Sequence, residues 1–108
     1  MEIRAFQQLI RDIYFHRDHE RGIKGTFIWF VEEVGELAEA IGKYDLNSQN
    51  ERLRENVGQE LADVFAWGVS LANLLNIDLE KAIEKKYPNT CLKCHTCPCS
   101  CKPKGELS

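Results

Sequence analysis

The chain has 108 residues and a formal net charge of −3 at pH 7, room for one domain at most. After residue 86 the sequence carries three lysines against Glu106, so the preceding body sits at about −5, which argues against duplex nucleic acid as a partner because that needs a basic footprint. No apolar run approaches a membrane span, and Glu2, Arg4, Arg11 and Asp12 do not make a signal peptide, so a cytoplasmic protein with no membrane partner is expected.

All three prolines and all five cysteines fall after residue 87. This divides the chain into a helix-permissive body, 1–87, and a Cys-rich tail, 88–108. In the body, Ile3, Phe6, Leu9, Ile10, Ile13 and Tyr14 recur at helical spacing and predict a first helix over about residues 2–17. The polar run His16 to Gly22 ends it; His16 and His19 read as part of a solvated helix end. Thr26 is positioned to cap a second helix running to about Lys43.

Ser48-Gln49-Asn50-Glu51 has the form of a capping box, with Ser48 as cap. The third helix it opens extends toward Asn76, roughly 42 Å, with a kink or break near residues 55–58 allowed by Gly58. Asp78 caps a last short helix through Leu79, Ala82, Ile83 and Lys86, and Pro88 stops it. Nothing reads as a strand. The expected fold is all-α, a four-helix bundle. A body of this size buries only about 60–65% of its unfolded surface. It nonetheless carries Phe6, Phe15, Phe27, Trp29, Phe30, Phe65 and Trp67, so a second copy is expected to cover part of that surface, as a homodimer or a dimer of dimers.

Two short acidic segments carry the chemistry. Glu33-Val34-Gly35-Glu36 and Glu60-Leu61-Ala62-Asp63 each place carboxylates at i and i+3, on one helix face. With Phe30, Val34, Leu37 and Ile41 as the apolar stripe, Glu33 lies roughly 60° to one side and Glu36 roughly 120°. Glu60 and Asp63 take the same two angles beside Val57, Leu61, Val64 and Gly68. If the stripes pack together, four carboxylates converge at the edge of an apolar core, where they repel unless a cation is present. Isolated acids on solvated faces are the plainer reading, and it suits Glu32 and Glu39 better than two acid pairs in matching positions. Oxygen-only ligands favour Mg²⁺, Mn²⁺ or Ca²⁺. Neither segment has the histidine of a Glu-x-x-His motif, which sets a di-iron oxidase behind the other readings.

Glu33-x-x-Glu36, a gap of 23 residues and Glu60-x-x-Asp63 resemble the signature of the MazG-like, all-α nucleoside triphosphate pyrophosphohydrolases. The flanking Phe30 to Ala40, Gln59 to Trp67 and Asn76 to Ala82 are similar to that family's motifs as well, so the resemblance covers about residues 3–87. It implies Mg²⁺-dependent hydrolysis of (deoxy)nucleoside triphosphates to monophosphate and pyrophosphate, with Mn²⁺ as a possible substitute and nucleotide-pool house-cleaning as a role. By position, Glu33, Glu36, Glu60 and Asp63 are the implied Mg²⁺ ligands. Glu32 is the sequence candidate for the carboxylate that accepts a proton from the attacking water. Trp67, four residues beyond Asp63, is a candidate to stack on the base or a core aromatic. Lys85, Lys86 and Asn89 resemble a phosphate-contacting segment, although relatives often continue with arginine where this chain has Thr90-Cys91-Leu92-Lys93. These lysines also suit a helix C-terminus. Lys24 is a further candidate phosphate contact.

The tail, Cys91-x-x-Cys94-His95-x-Cys97-x-Cys99-x-Cys101, packs six soft ligands into eleven residues. Structural zinc is the first reading, with Cys91 and Cys94 joined by two of Cys97, Cys99 and Cys101. An iron–sulfur cluster, redox-sensitive thiols and a disordered tail follow. The main alternative to an enzyme is a non-enzymatic dimeric helical module whose zinc tail binds a partner.

Overall fold

The computed structural model describes residues 1–103; residues 104–108, the end of the expected tail, lie outside the described residues. The body is built from three helices, α1 (Ile3–Leu46), α2 (Glu51–Leu74) and α3 (Leu79–Lys86), and the described residues contain no strand. No helix among them is long and apolar enough to cross a membrane.

The four-helix expectation is corrected to three because the first two expected helices are one run, α1. That run is broken internally at Gly22, whose φ of 85° and ψ of 171° are non-helical. This backbone region is open essentially only to glycine. A straight helix of 44 residues would measure about 66 Å, yet the longest dimension of the molecule is 49 Å, so α1 bends.

Thr26 is not a cap. It lies inside α1, fully buried, and its hydroxyl accepts from Arg21 Nη1 at 3.4 Å. The same guanidinium nitrogen donates to Asp18 Oδ1 at 2.9 Å. Arg21 therefore ties the residues before Gly22 to those after it, and gives the buried Thr26 hydroxyl and one Asp18 oxygen a partner.

Both limbs of α1 pack on α2. The first limb places Phe6 on Phe65, with ring centroids 5.4 Å apart, and the second places Trp29 against Trp67 at 6.1 Å. Gly68 receives the ring of Phe30, to which a Cβ built at Gly68 would come within 3.6 Å. Val69, with no exposed surface, and Ala72 are buried further along α2, as are Ile10 and Ala40 on α1.

Helix α2 is capped by Asn50, whose side chain accepts from Leu53 N–H at 3.1 Å, and not by Ser48. Asn50 N–H bonds Asn47 O in a preceding turn, which moves the helix start past Ser48. The helix then runs unbroken through Gly58. Helix α3 is capped by Asp78, which accepts from Lys81 N–H, and docks through Gln7. Gln7 donates to Ile77 O at 2.7 Å and to Asn73 Oδ1, and accepts from Leu79 N–H. Arg4 bridges Asp78 and Glu80 at the surface.

Candidate active site

The two acid pairs lie on the second limb of α1 and on the middle of α2, the two segments joined by the Trp29–Trp67 and Phe30–Gly68 contacts. Packing at those positions brings carboxylate oxygens of Glu33, Glu36 and Glu60 within 4.8 Å of one another. Glu33 and Glu60 are half-buried and Glu36 is exposed. One oxygen of Glu33 and one of Glu60, Oε2 in each, are buried with no hydrogen-bond partner.

The electrostatics follow from that geometry. Burial first, then the hydrogen bond and charge of Glu36 and the charges of Asp63 and Glu60, push the Glu33 carboxyl up to about 7. Glu60 is raised as well, by burial and by the charges of Glu36, Asp63 and Glu39. Two buried acceptors facing like charges describe a site that calls for a cation. The donor set is oxygen only, which suits a hard divalent ion such as Mg²⁺.

Asp63 is exposed and stands apart from the three-carboxylate group, although its charge is felt at both Glu33 and Glu60. It lines a cavity of about 270 Å³ together with Tyr14, Arg17, Asp18, Arg21 and Trp67. Asp18 is 2% exposed, and its second oxygen, Oδ2, is buried without a partner. The Trp67 ring already has two neighbours: Trp29, and the Arg21 guanidinium 4.9 Å from its centroid.

The other expected site residues are not brought to this group. Glu32 and Lys24 are exposed on α1 and lie outside it. Lys85 and Lys86 are exposed on the last turn of α3, and Asn89 is exposed beyond its end. Helix α3 is anchored at the Asn73 end of α2, ten residues or about 15 Å along the helix from Asp63. Sequence reasoning missed Arg17, Asp18 and Arg21 as cavity residues. Their one local signal was the charged run 17–21 at the end of the first apolar stripe, which reads as a solvated terminus until α2 is packed on it.

In the tail, sulfur atoms of Cys91, Cys94, Cys99 and Cys101 lie within 4.8 Å of one another, and Cys97 is not among them. Either this group or the carboxylates could hold a metal ion.

The family model of the MazG nucleotide pyrophosphohydrolase domain matches residues 21–94. The chain belongs to the MazG family. The matched span contains both acid pairs and begins one residue before the Gly22 break, so the MazG core in this chain comprises the second limb of α1, α2 and α3. The first limb, which supplies Tyr14, Arg17 and Asp18 to the cavity, lies outside the match. No curated protein matches the chain.

Proposed function

We propose that this MazG protein hydrolyses nucleoside triphosphates, ribose or deoxyribose, to the monophosphate and pyrophosphate with Mg²⁺, or Mn²⁺ in its place. The observation that carries the reading is the approach of the Glu33, Glu36 and Glu60 carboxylates to within 4.8 Å of one another, with one oxygen of Glu33 and one of Glu60 buried and unpartnered. A triphosphate is itself strongly anionic and is repelled by this group unless cations stand between them. Glu33, Glu36 and Glu60 would hold the metal, and Asp63 would complete the set from the cavity side. The bound metal would neutralise the triphosphate, lower the pKa of the attacking water and take up charge on the leaving pyrophosphate.

The chain's own residues supply the rest. Water cleaves the anhydride between the α and β phosphates, the pyrophosphate departs with the bonding electron pair, and the water's proton passes to a carboxylate, for which Glu32 is proposed. The cavity beside Asp63 receives the nucleoside, with Trp67 as its aromatic wall and Asp18 Oδ2 as an acceptor for a base N–H. Arg17, exposed at the same cavity, is placed to meet phosphate. Reaction in the cytoplasm, in clearing unwanted nucleotides, is consistent with this chemistry. A purely structural helical module would leave two buried carboxylates unpaired for no return.

Product identification tests the proposal. With Mg²⁺ and each of the common NTPs and dNTPs, monophosphate plus pyrophosphate is expected, and it disappears in Glu60→Gln. Diphosphate plus phosphate, or turnover unchanged in Glu60→Gln, would overturn it.

A further inference from the structure

The acidic cluster leaves the tail unexplained. Residues 91–101 contain one aliphatic side chain, Leu92, which is half-exposed, and no regular element. Such a segment has no core to hold it. It is nevertheless organised around sulfur. Cys91 Sγ lies 3.8 Å from Cys101 Sγ, and Cys94 Sγ lies 3.9 Å from Cys99 Sγ. The corners of a tetrahedron with Zn–S bonds of about 2.3 Å are separated by about 3.8 Å. All five cysteines are free thiols, and sulfurs at these separations are not bonded to one another.

The backbone is arranged to serve the same four atoms. Cys91 O accepts from His95 N–H at 2.8 Å, and Cys91 N–H donates to Thr96 O at 3.0 Å, which closes the Cys91-x-x-Cys94 segment into a tight turn. His95 holds a φ of 59° in that turn and is exposed, outside the sulfur group. Ser100 N–H points to Cys94 Sγ at 3.3 Å, and Cys101 N–H to Cys99 Sγ at 3.4 Å. N–H groups aimed at sulfur stabilise it as thiolate, the form that ligates.

We propose that Cys91, Cys94, Cys99 and Cys101 bind one structural Zn²⁺ ion, with Cys97 left outside the site. Mutual separations within 4.8 Å leave room for a single ion and not for a multi-iron cluster. Of the metals that take four thiolates in a tetrahedron, Zn²⁺ outranks Fe²⁺ in affinity for a common ligand set. Four protein ligands close the shell, so the site is structural and not catalytic. Binding displaces the remaining thiol protons and provides the folding energy that the tail's own side chains cannot. This site stands independently of the proposed hydrolase activity.

The test uses the full chain carrying Glu33→Gln and Glu60→Gln, so that the carboxylate site does not contribute metal. Under reducing conditions, native mass spectrometry and elemental analysis are expected to show one zinc per chain. One thiol, Cys97, reacts rapidly with a thiol reagent before chelation and all five react after it. Replacing zinc with Co²⁺ gives the intense visible bands of a tetrathiolate, which Cys97→Ser keeps and Cys99→Ser loses. Cys99→Ser lowers zinc affinity at least 100-fold while the body's helicity is unchanged. Iron in place of zinc, thiols lost in pairs as disulfides, or equal zinc loss in Cys97→Ser and Cys99→Ser would each overturn the assignment.

Discussion

Glu33 on α1 and Glu60 on α2 present carboxylate oxygens to each other within 4.8 Å, and each keeps one buried oxygen that no protein donor reaches. Without a cation this juxtaposition is unfavourable, and with one it becomes a ligand pair. Charge removal at either residue therefore acts in opposite directions on stability and on activity. Glu60→Gln is expected to raise the Tm of the metal-free protein at pH 8, and to lower turnover with Mg²⁺ at least about 100-fold. Calorimetry with and without Mg²⁺ reads the first, and product release the second. A lower metal-free Tm in Glu60→Gln would mean that the carboxylate is satisfied by something other than metal.

The raised Glu33 carboxyl makes that opposition depend on pH. Its ordinary value is 4.5 and its folded value about 7, so the folded protein binds the proton more tightly than the unfolded chain does. The resulting stabilisation is complete below about pH 4.5 and is lost as pH rises through 7. Metal-free protein should accordingly gain Tm on going from pH 8 to pH 5, a gain that Glu33→Gln reduces and that the raised Glu60 carboxyl keeps in part. Metal binding shows the reverse slope, because a proton on Glu33 competes with the ion. Apparent Mg²⁺ affinity should fall by about tenfold per pH unit below 7, as titration calorimetry would detect. An affinity independent of pH between 5 and 8 would exclude Glu33 as a ligand.

Two sets of cations compete for the role of phosphate contact. Arg17 opens on the cavity that Asp63 lines, whereas Lys85 and Lys86 sit on the last turn of α3, a helix anchored away from the carboxylates. Arg17→Ala is expected to raise KM about tenfold with kcat and Tm little changed, the size of one hydrogen bond to a charged group. Lys85→Ala and Lys86→Ala should move KM less than about twofold. The opposite ranking in steady-state kinetics would mean that the end of α3 reaches the substrate in the working assembly.

What the sequence made legible was local. The i, i+3 acids and the stripes beside them follow from helical period alone, and so do Asp78 as a cap and the limits of α3. Less legible were choices between neighbouring solutions. Asn50 and Ser48 are both good caps, and the turn through Asn47 selects between them. Of the cavity, Asp63 and Trp67 were legible and the opposite wall was not, because Arg17, Asp18 and Arg21 acquire their surroundings when the first limb of α1 folds onto α2. Nor could spacing choose among three closely spaced cysteines, a choice that depends on the turns of a segment without periodicity.

Gly22 illustrates the same point at the backbone. Its φ of 85° with ψ of 171° sets the angle between the limbs of α1, and so places Asp18 and Arg21 over the cavity. Gly22→Ala is expected to destabilise by about 1–3 kcal/mol, although a Cβ there would meet no atom within 4 Å. Gly42→Ala, in the regular part of α1 and equally free of neighbours, should instead stabilise by about 0.5–1 kcal/mol. Denaturant midpoints of the two variants separate conformational strain from packing. A neutral Gly22→Ala would place the bend elsewhere in α1.

A second copy of the chain is expected to complete the fold. The radius of gyration is 17.1 Å, against about 13 Å for a compact chain of this length. Among the described residues four apolar side chains are buried: Ile10, Ala40, Val69 and Ala72. Phe27, Ile28, Trp29 and Val31 on the second limb of α1, each close to half exposed, continue into Val34 and Ile41, with Leu61 and Phe65 exposed on α2. An apolar surface this extensive is unusual for an isolated domain and typical of one that is completed by association. The acids lie on the same two helices, so association would also enclose the carboxylate cluster. Sedimentation equilibrium at micromolar concentration is expected to give a dimer or a dimer of dimers. Ile28→Glu should dissociate it and lower turnover with it. A stable monomer that retains full activity would show that the face has another use.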